Sequence, residues 1–576
     1  MSVRLQRRER VESGSGLAEL PKLLARVYAA RDVNDVEQLK YTLDKLLPYE
    51  SLSDIIPAVE RIATAVTEQQ KILMVGDYDA DGATSTAVAI RGFKMCGNQN
   101  VSYLVPNRFE YGYGLTPELV AAAQVQGIEA DLVITVDNGI SNHDGVEAMN
   151  KTGADVIVTD HHLPGETLPN AYAIVNPNLD NDAFPSKALA GVGVMFYVMI
   201  ALRQHLQQQG WFEQRNIPKP NLASLLDLVA LGTVADVVPL DHNNRILVEQ
   251  GLRRIRSGAA AAGLLELLRV AKKDVERVTA LDLGFAAGPR LNAAGRLEDM
   301  AVGIECLLTD DQDRAGAIAS ELNALNIERR DIESTMQEQA EAILKQQQDI
   351  DAADKLSICL YDSTWHQGVV GIVASRLKEK VNRPVFVFAN ENENYIKGSA
   401  RSIAGVHIRD VLQRVDANHP DLISKYGGHA MAAGLSLLPE NLDTFEAALE
   451  QAVKEMTTPD LFQAIVHSDG ELSADDLSLS TAATLRAGGP WGQKFPEPVF
   501  DGEFNVVSSR LLQGKYFKLV VTPLAKPELY LDAIAFRCDP EKLPEQGQCI
   551  HIAYRLDVNH YQGRDSLQLM IEQILE

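Results

Sequence analysis

Between residues 70 and 180 the chain alternates short apolar runs with Ala-rich stretches. Residues 72–75, 101–105, 132–136 and 156–159 are four or five mostly apolar side chains in a row, the length and composition of buried strands. Residues 117–126 and 143–152, lying between them, read as helices. Strands alternating with helices predict a parallel sheet in an α/β domain, and such sheets bind ligands beyond the carboxyl ends of their strands.

The pattern changes on either side. Residues 1–50 read as short helices, with 33–47 as an amphipathic one carrying Val36, Leu39, Leu43, Leu46 and Leu47 on one face. Residues 311–350 read as one long helix. Its narrow apolar stripe is Ile318, Leu322, Leu325, Ile332, Met336 and Ile343, interrupted by Arg329, the form of a helix that bridges domains. Strands at 356–360 and 385–388 and a helix at 372–380 predict a second α/β unit. Alternation then dominates at 500–507, 516–521, 529–535, 549–554 and 566–571, five strands that suit an OB-like barrel. The expected domains are 1–50 (helical), 51–270 (parallel-sheet core), 271–350 (connector with the long helix), 351–457 (second α/β domain) and 458–576 (barrel).

Composition narrows the setting. Hydrophobic residues make up 46% of 576, enough for several cores. Cys96, Cys306, Cys359, Cys538 and Cys549 are scattered without a CxxC pair, which argues against a disulfide framework or a zinc site and fits a reducing cytoplasm. No apolar segment follows Arg4, Arg7, Arg8 and Arg10, so no signal peptide is expected, and the apolar run 192–202 is too short to span a bilayer. The net charge of −25 weighs against a protein that coats nucleic acid, but is compatible with an enzyme whose basic residues line one groove.

Candidate chemistry stands where the sheet predicts it. The first strand runs into Asp77, Asp79 and Asp81, the third into Asp137-Asn138-Gly139, and the fourth into Asp160-His161-His162. Each alone has an ordinary reading, as an acidic turn, a helix cap or a polar loop. Three strands delivering Asp and His to one edge together describe a site for hard divalent cations with carboxylate and imidazole ligands. Asp236, after the apolar run 228–234, reads by itself as a loop acid.

These motifs resemble the DHH phosphoesterase superfamily. The DxDxDG, VDNG and DHH stretches match three of its motifs, and 227–240 matches a fourth, with Asp236 as its ligand. Pro106-Asn107-Arg108, Tyr111 to Leu115, Gly288 to Arg296 and Gly427 to Gly434 further resemble the RecJ family of bacterial single-stranded-DNA exonucleases, over residues 50–576. The resemblance implies two Mn2+ or Mg2+ ions held by Asp79, Asp81, Asp137, His161 and Asp236, with Asp137 as the bridge. Asp77 is either a direct ligand or a second acceptor behind the ligands. Asp160 orients a neighbour, and His162 either meets the scissile phosphate or is structural.

Arg108, Arg290, Arg296 and Arg401 are the candidate clamps for the DNA backbone or a terminal phosphate, with Ser399, Gly428 and His429 in the second α/β domain. In the barrel, Lys515, Tyr516 and Lys518 head a set of interleaved basic and aromatic residues, with Arg510, Arg537, Tyr554, Arg555 and Tyr561, suited to single-strand stacking. The resemblance further implies 5′→3′ degradation to mononucleotides in recombination, repair and mismatch repair, with single-stranded-DNA-binding protein and a helicase as partners. With no heptad run, a monomer is expected. The alternatives are a DHH enzyme acting on short oligonucleotides, cyclic dinucleotides or pyrophosphate, which needs neither the long helix nor the barrel, and a binding scaffold with a dead core, which would lack metal ligands.

Overall fold

The computed structural model describes residues 3–9, 15–348, 355–512, 516–536 and 542–575. Contacts divide the chain into two units, one of residues 10–326 with 484–497, the other of 1–9, 327–483 and 498–576.

The first unit is built on a parallel sheet. Its strands lie in the order Val101–Leu104, Ile72–Gly76, Leu132–Val136, Asp155–Thr159, Ala173–Val175. The Ile72–Gly76 and Leu132–Val136 strands are buried at every position, as strands covered by helices on both faces must be. The last strand, only three residues long, has no clear signal in the sequence. The Leu226–Ala235 helix packs with Ala80–Met95 and Gly191–Gln208 beside the sheet, and Asp236 is its C-terminal cap rather than a loop residue.

The helix expected at 33–47 does not form. Short 3-10 turns at Val36–Leu39 and Leu43–Lys45 stand there instead. Tertiary contacts explain the difference. Lys40 is extended (φ −85°, ψ 103°), Tyr41 is buried and accepts a hydrogen bond from Gln250 through its carbonyl, and Leu47 N–H donates to Asn243 Oδ1. The backbone of this stretch is therefore held to the His242–Arg256 helix at two separate points, and Leu43 of the expected apolar face is exposed.

The Gln312–Gln348 helix has 37 residues, and the division between the units falls within it, at Ile327. In the second unit its buried Arg329 pairs with Glu333 (2.6 Å), which also accepts from Arg376 (3.0 Å). This polar interruption of the stripe is thus a paired one. A five-stranded sheet follows, in the order Lys425–Gly428, Ala432–Leu437, Ile396–Arg401, Val385–Asn390, Ile358–Tyr361. A helix at Leu479–Ala487 precedes the β-rich part. The five C-terminal strands close into a barrel, in the order Phe500–Leu512, Tyr516–Pro523, Leu531–Ala535, Arg564–Leu575, Cys549–Tyr561, with one parallel pairing.

A buried carboxylate ties the N-terminal strand Arg4–Arg7 to this barrel. Asp501, with a fully buried side chain, accepts from Arg7 (2.6 Å) and Ser468 and lies 3.3 Å from His551 Nε2. Burial pushes Asp501 upward, but the bonds from Arg7, Ser468 and His551 outweigh it and hold the group below the usual carboxylate range. A depressed folded value stabilises the fold above the unfolded pKa of about 4 and loses that contribution as the pH falls through the folded value. Asp501→Asn is expected to lower stability by about 1–3 kcal/mol at pH 7, discounted because Arg7 is half exposed, with the deficit narrowing below about pH 4. Urea midpoints of the two proteins across that range test this; a deficit that is constant with pH would contradict it.

Candidate metal centre

The loop after the Ile72–Gly76 strand is wound tightly around its own amides. Asp79 caps the Ala80–Met95 helix, its Oδ1 accepting from Asp81 N–H (2.9 Å) and Gly82 N–H (3.0 Å). Asp77 Oδ1 accepts from Tyr78 N–H (2.7 Å). Asp81 points the other way, into the N-terminus of the Gly191–Gln208 helix, where Gly191 N–H (2.6 Å) and Val192 N–H (3.0 Å) donate to its two oxygens. From a third side comes the Gly288–Leu297 helix. Asn292 Oδ1 accepts from Ala80 N–H (2.8 Å), and a Cβ at Gly295 would stand 1.8 Å from the Tyr78 carbonyl oxygen, so only glycine permits this approach.

The next two strands bring the other groups. Asp137 follows Leu132–Val136 at φ 62°, and its carbonyl accepts from Tyr113 Oη (3.1 Å). Asp160 is fully buried. Its Oδ2 accepts from Ile140 N–H (3.0 Å), and its Oδ1 from His161 N–H (2.7 Å) and from His162 Nδ1 (2.7 Å). Asn176 and Asn178 hold the carbonyls of His162 and His161. His161 Nε2 then lies 3.0 Å from Asp137 Oδ1 and 3.5 Å from Asp236 Oδ2.

Three overlapping triads result, Asp77-Asp79-Asp137, Asp81-His161-Asp236 and Asp137-His161-His162, each with ligand atoms within 4.8 Å of one another. Asp137 and His161 are each shared by two of them. Of the two readings of Asp77, the geometry brings it among the potential ligands.

The electrostatics separate these groups into two kinds. Burial, reinforced by neighbouring carboxylates, pushes Asp77 and Asp137 well above the usual range and Asp81 and Asp236 to about 7. His161 is pushed down, by burial and then by the charge of His162, which favours its neutral imidazole. The Asp160–His162 pair goes the opposite way. Burial opposes both charges, but their mutual hydrogen bond and attraction outweigh it, holding His162 at about 9 and Asp160 at about 2. The pairing with Asp160 thus favours the charged form of His162.

Asp137 Oδ1 and His161 Nε2 are both buried and face each other at 3.0 Å, and neither makes a well-formed hydrogen bond among the described residues. Such groups demand a partner. A cluster of carboxylate oxygens and neutral imidazole nitrogen fits a hard or borderline divalent cation such as Mn2+ or Mg2+.

Arg108 reaches this loop, its guanidinium 4.1 Å from the Tyr78 ring centroid, and Tyr78 meets Tyr113 edge-on at 6.0 Å. Arg290 donates to the Ala286 carbonyl (2.7 Å) and Asn323 (3.1 Å), which pins its helix to the preceding turn and to the long helix. Arg296 lies half-buried in the last turn of the same helix.

In the second unit, Ser399 and Arg401 share one face of the Ile396–Arg401 strand. Gly371, near the start of the Val370–Val381 helix, leaves room for the Arg401 guanidinium, which stands 3.1 Å from where its Cβ would be; burial pushes that guanidinium's pKa down. Gly428, at φ 147°, and His429 form the turn of the adjoining hairpin, where His429 N–H donates to the Ala432 carbonyl (2.8 Å).

In the barrel, Tyr516 meets Phe536 edge-on at 5.2 Å and Lys518 lies opposite Arg510 across the strand pair. Lys515 and Arg537 lie outside the described residues. Tyr554 belongs to the barrel core at 1% exposure, against Phe504, so it offers no stacking face. The amides of Gly191 and Val192 that hold Asp81 went unread in the sequence. Their one signal is small residues opening a long apolar helix.

Residues 71–233 match the DHH family N-terminal domain, 354–455 the DHHA1 domain and 468–573 the RecJ OB domain. The single-stranded-DNA-specific exonuclease RecJ of Dickeya dadantii is 51% identical over 576 residues, 100% of each chain. The Escherichia coli enzyme of the same name is 50% identical over 573 residues, 99% of each chain. A crystal structure of RecJ from Thermus thermophilus in complex with Mn2+ is similar at a TM-score of 0.78 and 30% identity, covering 100% of this chain and 79% of that one. A structure of RecJ from the same organism in complex with Mg2+ has a TM-score of 0.73 at 28% identity, covering 100% and 78%. Full-length identity of this order shows that the chain belongs to the RecJ family of single-stranded-DNA-specific exonucleases.

Proposed function

We propose that this protein is a divalent-metal-dependent exonuclease that hydrolyses single-stranded DNA 5′→3′ to mononucleotides. The observation that carries the chemistry is the close pair of buried ligand atoms, Asp137 Oδ1 and His161 Nε2, which stand 3.0 Å apart where two triads join and are not satisfied by a hydrogen bond. Asp77, Asp79 and Asp137 would hold one ion and Asp81, His161 and Asp236 a second, with Asp137 as the shared ligand. Bound by these residues, two Mn2+ or Mg2+ ions would supply activation of the attacking water and neutralisation of charge on the phosphodiester.

The protein's own groups do the rest. The amides of Gly191 and Val192 and the Asp79 cap fix the carboxylates before substrate arrives. Asp160 keeps His162 protonated, so that it presents a positive charge and a proton for the leaving oxygen. Arg108, Arg290 and Arg296 in the first unit, and Ser399, Arg401, Gly428 and His429 in the second, serve the DNA backbone and a terminal phosphate. Tyr516 and Lys518, with Lys515, serve the strand in the barrel. The RecJ OB match at 468–573 favours a single strand over pyrophosphate or a dinucleotide. Function in recombination and repair as a cytoplasmic monomer, with single-stranded-DNA-binding protein and a helicase as partners, accords with the family.

Asp137→Ala and His161→Ala are expected to reduce Mn2+-dependent cleavage of an oligonucleotide by on the order of 10³-fold or more while single-strand binding persists. Asp160→Asn, which alters a group behind the ligands, is expected to cost about 10–100-fold. Near-normal turnover in Asp137→Ala, or cleavage of pyrophosphate and dinucleotides alone, would refute the reading.

Metal should also stabilise the fold in a pH-dependent way. Carboxyls raised to about 7 in the fold bind protons that the unfolded chain has released, so their contribution is full below about pH 4 and lost as the pH rises to 7. A divalent ion replaces those protons. At 100-fold excess over Kd, Mn2+ is expected to raise Tm by about 5 °C or more at pH 7.5. The shift should be clearly smaller at pH 5.5. Thermal melts at the two pH values check this, and equal shifts would contradict it.

A further inference from the structure

Two backbone irregularities meet at the C-terminal end of the Leu226–Ala235 helix, beside Asp236. Val237 is a β-branched residue at φ 59°, where its Cβ crowds the backbone, and it is nevertheless 62% exposed. Leu283–Ala287 is a π-helical turn, a rare form concentrated at functional sites. Two glycines let this turn lie on the same helix end. A Cβ at Gly284 would stand 3.3 Å from Val234 Cγ1, and one at Gly288 would stand 3.2 Å from Ala235 Cβ. Arg290 fixes the turn by donating to the Ala286 carbonyl (2.7 Å). Phe285, carried on this turn, is 77% exposed.

A single exposed Phe or Val is ordinary. Here a left-handed Val237, directly after the candidate ligand Asp236, and a π-turn packed on the same helix end each hold an apolar side chain in solvent. Unusual backbone conformations of this kind cluster at functional sites. A phosphate or a metal ion has no use for such a surface, whereas a nucleobase does. Aromatic side chains bind unpaired bases by stacking, regardless of sequence. A base within a duplex is already stacked on its neighbours and must first be freed.

We propose that Phe285 is a stacking platform for the nucleobase adjoining the scissile phosphodiester, with Val237 adding to the exposed apolar surface at the same helix end, and that it contributes to the selection of unpaired strands. This rests on the nuclease reading above. The platform holds the base, and so sets where the attached phosphate lies relative to the carboxylates.

The test is steady-state kinetics of Mn2+-loaded full-length protein on a single-stranded oligonucleotide, with single abasic residues at each of the first four positions from the degraded end. Phe285→Ala is expected to raise KM about ten- to hundredfold on the intact strand, with the main effect on KM rather than kcat, and Phe285→Trp to restore it. At one position an abasic residue should raise the wild-type KM by a similar factor and leave Phe285→Ala indifferent. An unaltered KM in Phe285→Ala, or the same abasic penalty in both proteins, overturns the platform while leaving the nuclease reading intact. If the wild-type protein leaves the strand uncut, the nuclease reading fails and the platform with it.

Discussion

Five aspartates, three of them buried, share one small volume beyond the end of a parallel sheet, and much of the first unit serves to hold them there. Left to themselves, Asp77, Asp79, Asp81, Asp137 and Asp236 would repel one another. Backbone N–H groups offset part of that repulsion. The Ala80–Met95 helix presents its first amides to Asp79, and the Gly191–Gln208 helix presents its own to Asp81. What these donors leave over is the raised proton affinity of Asp81, Asp137 and Asp236, an excess of negative charge that a divalent cation relieves. The same bonds that position the ligands therefore fix which helix ends meet which strand ends.

Asp160 and His162 show how one site holds acids of opposite character. All six of these aspartates lie within the same motif cluster, yet Asp160 alone has an imidazole and several amides to itself, and its proton affinity falls where those of Asp77, Asp81, Asp137 and Asp236 rise. Environment, not residue type, separates the metal-facing carboxylates from the one that charges an imidazole. The architecture outside this core is of another kind. The second unit holds the strand face that bears Ser399 and Arg401, and the closed barrel.

Much of this was legible in the sequence, for a physical reason. Strands buried on both faces must be continuous apolar runs, and ligands must stand at their carboxyl ends, so periodicity alone located Asp77 to Asp81, Asp137 and Asp160 to His162. Asp236 was not legible that way, because it closes a helix whose apolar run resembles any core segment; family motifs supplied it. The failures came where tertiary contacts decide local structure. The 33–47 stretch has helical spacing but is pulled apart by docking through Tyr41 and Leu47. The amide donors of Gly191 and Val192 carry no side-chain signature. Gly295 and Asn292 lie within a recognisable motif, yet their task, admitting one helix against the Tyr78 carbonyl, is visible only in three dimensions.

We propose that two cations share Asp137. Anomalous diffraction at the manganese edge, from crystals of the wild-type protein grown with Mn2+, tests it most directly. Two peaks are expected, one among Asp77, Asp79 and Asp137 and one among Asp81, His161 and Asp236, with Asp137 in contact with both. A single peak, or peaks that leave Asp137 Oδ1 and His161 Nε2 without a ligand contact, would contradict it.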